Sequence, residues 1–124
     1  TPQFKISAKD SLGVSSYHIF ITLNTFDLTD INMDNVYLYT VVTEKYISFA
    51  EPPGSNGETE FYDVMREMLP NPNGFQLIDL SSNSSKEFTY SVMLDSEWDV
   101  SQLNTVIFIQ NKESKEVYQS FSIN

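Results

Sequence analysis

The chain has no cysteine among its 124 residues. Disulfide frameworks, thiol catalysis and thiolate sites for zinc or iron–sulfur clusters are therefore excluded. Glycine is also scarce, with four residues, and none of them belongs to a phosphate-binding fingerprint. The single histidine, His18, falls inside a predicted strand, where a lone imidazole usually serves the sheet and not catalysis. The sequence therefore predicts no catalytic, cofactor-binding or metal-binding residue and no cofactor, and we expect a protein that is not an enzyme.

Basic residues and long apolar runs are scarce as well. Seven lysines and arginines stand against 17 acidic residues, which gives a formal net charge of −10. Such a charge repels phosphate backbones, so we expect no nucleic-acid partner. No apolar run approaches the roughly 20 residues that a membrane span requires, so no span is expected. A cation, a basic protein or a neutral glycan remains as a possible partner.

What the chain does contain is a two-residue alternation of apolar and polar side chains, which is typical of strands. In residues 17–23, one face carries Tyr17, Ile19, Ile21 and Leu23, and the other carries His18, Phe20 and Thr22. Similar runs occupy 36–43, 88–94, 105–110 and 117–123, with shorter runs at 75–80 and 4–6. About seven such strands predict an all-β protein, an antiparallel Ig-like or jelly-roll β-sandwich that forms one domain over residues 1–124.

One segment, 59–69, departs from this alternation. Its apolar residues fall at helical spacing along one stripe: Phe61, Val64, Met65, Met68 and Leu69. The same stretch also tolerates strand alternation, and a short apolar run does not decide between the two. We favour a short helix near residues 59–69 that plugs one end of the sandwich with Phe61, Met65, Met68 and Leu69.

Two loop segments are rich in acids, with Asp27, Asp30 and Asp34 in the first and Asp95, Glu97 and Asp99 in the second. Oxygen ligands on loops are the usual shell of calcium, but neither segment has the glycine and closing glutamate of an EF-hand. Turns in which aspartate bonds its own backbone are favoured, and calcium binding stays open. Glycoside hydrolysis is not supported, because the acids cluster in predicted loops and none is buried alone in an apolar strand.

Two stretches carry a family likeness: "PPGSNGETEFYDVMREMLPNPNG" at 52–74, followed by "SKEFTYSVMLDSEWDVSQLNTVIFIQNKESKEVYQS" at 85–120. This string of landmarks resembles the Omp-twenty-eight-related outer-membrane protein family of Bacteroidota, over roughly residues 15–122. The landmarks are Tyr62, Val64-Met65-Arg66, Leu69-Pro70, Gly74, Val106 to Gln110 and Lys115 to Gln119. The resemblance implies a secreted or outer-membrane-associated β-sandwich module that is not itself the enzyme of the proteins that contain it.

The family offers no catalytic residue to carry over to this sequence. Within its motif, Arg66 is a basic residue in a strongly acidic chain, so it should find a carboxylate partner. We expect a structural ion pair that holds the segment 61–69 to the sheet.

These observations favour a non-enzymatic extracytoplasmic module for adhesion, binding or spacing at the bacterial cell surface. The alternative is a self-assembling subunit of an extracellular filament. Apolar strands lie near both ends of the chain, at Phe4 to Ile6 and Phe121 to Ile123. Either one could exchange into the open sheet edge of a neighbouring molecule.

Overall fold

The computed structural model describes residues 3–48, 51, 57 and 59–123. In that part of the chain the helical segments are one-turn 3₁₀ helices at Met33–Asn35 and Val100–Gln102. Eight strands make up the rest of the regular structure: β1 (Phe4–Leu12), β2 (Ser16–Thr25), β3 (Val36–Ser48), β4 (Glu60–Leu69), β5 (Phe75–Gln76), β6 (Ser85–Met93), β7 (Leu103–Asn111) and β8 (Val117–Ser122). The all-β prediction is confirmed, and each predicted strand overlaps an observed one.

The strands form two antiparallel sheets. A three-stranded sheet has the order β1-β2-β6, and a five-stranded sheet has the order β4-β3-β7-β8, with β5 also paired to β3. Because β7 occupies one edge of β3, β4 and β5 follow each other along the opposite edge. The two sheets share one apolar core, so the predicted β-sandwich is confirmed. The narrower Ig-like or jelly-roll assignment stays a prediction.

The core lies between the inward faces of the two sheets, as the alternation predicts. In β2, Tyr17, Ile19, Ile21 and Leu23 are almost completely buried. The five-stranded sheet contributes fully buried partners from its two central strands: Val36, Leu38, Val42, Ile107 and Ile109. Strand β2 therefore commits every second residue to the core and leaves the residues between them for the outer face.

Strand β4 replaces the helix predicted near residues 59–69, so that prediction was wrong. β4 pairs with β3 from Thr40 opposite Leu69 to Ser48 opposite Glu60. The backbone groups of β3 on this edge need hydrogen-bond partners, and β4 supplies them. That tertiary pairing outweighs the helical spacing of a short apolar run.

The proposed plug of the sandwich by this segment is mostly wrong as well. Met65 is 58% exposed, and Met68 is only partly buried. Of the predicted plug residues whose side chains are described, Leu69 packs against the core as predicted, and Met65 and Met68 do not. The side chain of Phe61 lies outside the described part of the structure. A strand points successive side chains to opposite faces, so β4 cannot bury the stripe that a helix would have gathered.

Among the described residues, no helix combines the length and apolar character that crossing a bilayer requires.

Candidate binding surface

The outer face of the three-stranded sheet carries polar side chains in straight rows. The registers of β1 with β2 and of β2 with β6 place one residue from each strand in every row. Four successive rows are Lys5–Asn24–Ser85, Ser7–Thr22–Glu87, Lys9–Phe20–Thr89 and Ser11–His18–Ser91. The same strands bury alternate residues in the core, among them Ile6, Ile19, Ile21 and Phe88, so the alternation that builds the core also builds this face.

A shallow groove of about 420 Å³ crosses the two central rows of this face. We call it the Phe20 groove, and the side chains that define it are Ser7, Lys9, Phe20, Thr22, Glu87 and Thr89. The Phe20 ring is 37% exposed, and the Lys9 ammonium lies 6.0 Å from its centroid. The volume is within the range of small-molecule sites. An open aromatic ring thus lies among hydroxyl, ammonium and carboxylate groups.

His18 lies one row away from the Phe20 groove, inside β2 as predicted. Its Nδ1 atom is 2.8 Å from the hydroxyl of Ser91, which is its direct partner on β6. The imidazole therefore takes part in a polar cross-strand pair on the outer face.

A polar bridge between the sheets is built around Tyr17. Its hydroxyl donates to Asp10 at 2.5 Å and lies 3.0 Å from the hydroxyl of Thr105 in the facing sheet. Burial raises the pKa of Tyr17 above its ordinary value near 10, and the hydrogen bond to Asp10 raises it further. The phenol therefore keeps its proton at neutral pH and serves as a donor that ties β1, β2 and β7 together.

Glu44 is a buried acid inside strand β3, with 1% of its surface exposed. The prediction that no acid is buried within a strand was therefore wrong. Glu44 was missed because the predicted strand ended at residue 43, whereas β3 continues to Ser48. The Arg66 Nε atom donates to Glu44 Oε1 at 2.7 Å, and the Asp99 backbone donates to Oε2 at 3.3 Å. The predicted structural ion pair of Arg66 is thereby confirmed.

A bulge in β4 brings Arg66 to this carboxylate. Val42 lies opposite Glu67 and Thr43 lies opposite Met65, so Arg66 is the extra residue on the β4 side. A bulge re-aims the side chain of the inserted residue, and here it lets a cation from an edge strand reach a buried acid on the next strand. The pair joins β4 to the sheet and is a structural contact.

In the two acid-rich loops, Asp27, Asp95 and Asp99 accept hydrogen bonds from the backbone two residues further on, as aspartates in turns do. Asp27 accepts from the backbone and hydroxyl of Thr29, and these bonds lower the pKa of its carboxyl. Asp95 accepts from the backbone of Glu97, and Asp99 caps the 3₁₀ turn through Ser101. Within the described ranges, no three acidic or histidine side chains gather as a metal site would require. Calcium binding by Asp27, Asp30, Asp34, Asp95, Glu97 or Asp99 stays the open alternative to these turns.

The outer face of the five-stranded sheet is aromatic and is partly covered by the loop 70–74. Tyr39 and Phe108, opposite each other on β3 and β7, stack with centroids 5.0 Å apart. The Lys112 ammonium lies 4.0 Å from the Tyr37 ring centroid and donates to the carbonyl of Asn73. Gly74 packs so closely on Tyr39 that an added Cβ would lie 2.8 Å from the ring. The loop 70–74 therefore packs on this face, through Gly74 against Tyr39 and Asn73 against Lys112.

The Phe20 groove was not identified from the sequence. The alternation places Phe20, His18 and Thr22 on one face of β2, but the rows depend on which residues of β1 and β6 lie beside them. Trp98, the single tryptophan of the sequence, packs partly buried against the core. One sequence signal could have identified Phe20. It is an aromatic residue on the polar face of a strand whose opposite face is wholly apolar.

A comparison with models of known protein families finds no match, and no curated protein matches the chain. Among solved structures, HBP35 of Porphyromonas gingivalis is similar over 98% of this chain, with a TM-score of 0.75 and 14% identity. The present chain spans 40% of the length of that protein chain.

A domain of the outer membrane lipoprotein Omp28 from Porphyromonas gingivalis is similar over 99% of this chain and 88% of its own length. Its TM-score is 0.60, again at 14% identity. At such identity the likeness establishes the fold. The sequence resemblance to the Omp-twenty-eight-related proteins of Bacteroidota is thus confirmed at the level of the fold.

Proposed function

We propose that this chain is a non-enzymatic binding module at the bacterial cell surface, and that it presents the outer face of its three-stranded sheet to a protein or glycan. This proposal rests on one observation: the outer-face side chains of β1, β2 and β6 form straight rows around Phe20, and the Phe20 groove crosses them. Rows of hydroxyl, amide and charged groups around an aromatic ring offer both directional hydrogen bonds and apolar contact.

Two further observations support it. The strongest candidates for acid–base chemistry are engaged in structure, since Glu44 is paired with Arg66 and His18 with Ser91. One structural neighbour is a domain of an outer membrane lipoprotein, which favours a location at the outer membrane or cell surface.

The test is a solid-phase assay in which the labelled chain is offered to extracellular glycans and surface proteins, followed by mass spectrometry of the recovered ligand. We expect saturable binding to at least one of them and an unchanged ligand mass, because the chain binds without turnover. A ligand recovered with a changed mass contradicts the non-enzymatic role. Absence of saturable binding to every glycan and protein offered contradicts the binding role.

A self-assembling filament subunit is the second candidate, and the positions of the terminal strands favour it. β1 is an edge of the three-stranded sheet and β8 is an edge of the five-stranded sheet, so either end could be exchanged without breaking a sheet centre. Gln119 of β8 donates to the Phe4 carbonyl within the same molecule, and an exchange of either terminal strand would break this bond.

Size-exclusion chromatography with light scattering at micromolar concentration separates the two candidates. A binding module gives a monomer, because its terminal strands pair within the molecule. A ladder of multimers that survives mild denaturant would favour the filament. If β1 is the exchanged strand, shortening the chain before Ser7 removes its core side chains Phe4 and Ile6 and should abolish the ladder.

A further inference from the structure

We infer that the Phe20 groove binds a neutral saccharide, with one sugar ring stacked on Phe20 and its hydroxyls held between Lys9 and Glu87. This deepens the proposed function and rests on it, because it names the ligand class for the same face.

The geometry of the rows carries the first step. Lys9 on β1 and Glu87 on β6 lie on either side of β2 and in adjacent rows, so two strand spacings and a two-residue step along the strand place their backbones about 12 Å apart. Phe20 lies between the two outer strands on β2, in the same row as Lys9 and next to the row of Glu87. That separation accommodates one pyranose ring with a hydrogen bond on each side. The exposed ring of Phe20 then meets the apolar C–H face of the sugar.

The hydrogen-bonding groups carry the second step. A sugar hydroxyl both donates and accepts, so it can accept from the Lys9 ammonium and donate to the Glu87 carboxylate. The hydroxyls of Ser7, Thr22 and Thr89 add groups that also do both. The Lys9 ammonium lies 6.0 Å from the Phe20 centroid, at the outer limit of a cation–π contact, so little is lost when it turns to a ligand.

The charge of the groove carries the third step. Its defining side chains include one lysine and one glutamate and are therefore balanced, whereas the whole chain has a formal net charge of −10. A polyanion would meet Glu87 and the surplus acids of the chain, and a polycation would meet Lys9. A neutral, hydroxyl-rich ligand satisfies both charged groups and leaves neither without a partner.

The experiment is isothermal titration of the chain with soluble mannan, dextran and galactan as neutral polysaccharides, and with polygalacturonate as an acidic one. We expect binding to at least one neutral polysaccharide, with an affinity that raised salt changes little. Phe20→Ala should weaken that binding about tenfold through loss of the stacking surface. Glu87→Ala should weaken it about fivefold through loss of an acceptor.

Tyr62→Ala is the matched control, since Tyr62 is an exposed aromatic side chain on β4 of the other sheet, 67% exposed. It should bind as the unchanged chain does, and thermal melting of each variant shows that it is folded. The saccharide inference is overturned if Phe20→Ala binds the neutral polysaccharide as tightly as the unchanged chain does, or if polygalacturonate is the only polysaccharide bound. Either result leaves the proposed binding function standing. If no polysaccharide binds, the inference is overturned, and the proposed function is judged on the protein ligands of the solid-phase assay.

Discussion

Replacing Arg66 by alanine should lower the free energy of unfolding by about 3 kcal/mol, because it leaves the Glu44 carboxylate buried without its cation. The two partners are not equivalent. The Arg66 side chain is 26% exposed and that of Glu44 is 1% exposed, so water can reach the arginine but not the acid. The Asp99 backbone bond at 3.3 Å is too long to replace the ion pair.

Urea denaturation of three variants tests this account of the ion pair. Lys5→Ala removes the same charge from an exposed position of β1 and should change the stability by no more than about 0.5 kcal/mol. Adding Glu44→Gln to Arg66→Ala should recover part of the loss, because no buried charge then remains. An Arg66→Ala variant as stable as the unchanged chain would show that the carboxylate reaches water in solution.

Replacing Gly74 by alanine should cost about 3 kcal/mol of stability, from two separate causes. The residue has φ of +77°, a left-handed conformation in which a side chain costs about 1 kcal/mol. The added Cβ would also lie 2.8 and 2.9 Å from two ring atoms of Tyr39 and 3.1 Å from the carbonyl of Leu38. Relieving that overlap means moving the loop 70–74 away from the sheet, a cost of about 2 kcal/mol.

Gly57→Ala is a closely matched control for this prediction. Gly57 has φ of +81°, and an added Cβ would meet nothing within 4 Å. It should therefore show the conformational cost alone, about 1 kcal/mol, and the difference between the two variants measures the contact with Tyr39. Equal melting temperatures of the two alanine variants would mean that the loop does not press on Tyr39.

The strands that could be predicted from the sequence are those whose two faces meet different surroundings. β2 lies between β1 and β6 with one face in the core, so Tyr17, Ile19, Ile21 and Leu23 had to be apolar. The second half of β3 was missed for the opposite reason. It buries Glu44 and continues to Ser48 as the partner of an edge strand, and neither feature produces a regular apolar alternation.

The segment 60–69 shows why a local pattern can mislead. Its methionines and leucine follow a helical stripe, but they are spread over the two faces of an edge strand. An edge strand buries little of either face, so its side chains are weakly constrained and an accidental helical spacing can occur. The positive charge of Arg66 predicted a carboxylate partner, while the identity of that partner required the bulge in β4.

The sequence by itself determined that this chain is all-β, that its core alternates with an outer surface, and that thiol and phosphate-loop chemistry are absent. These follow from residue type and spacing along one strand. Only the tertiary structure decided which side chains share a row, which acid Arg66 neutralises and where the Phe20 groove lies. The physical reason is that the neighbours of a strand residue come from other strands, through a register that pairs residues far apart in the chain.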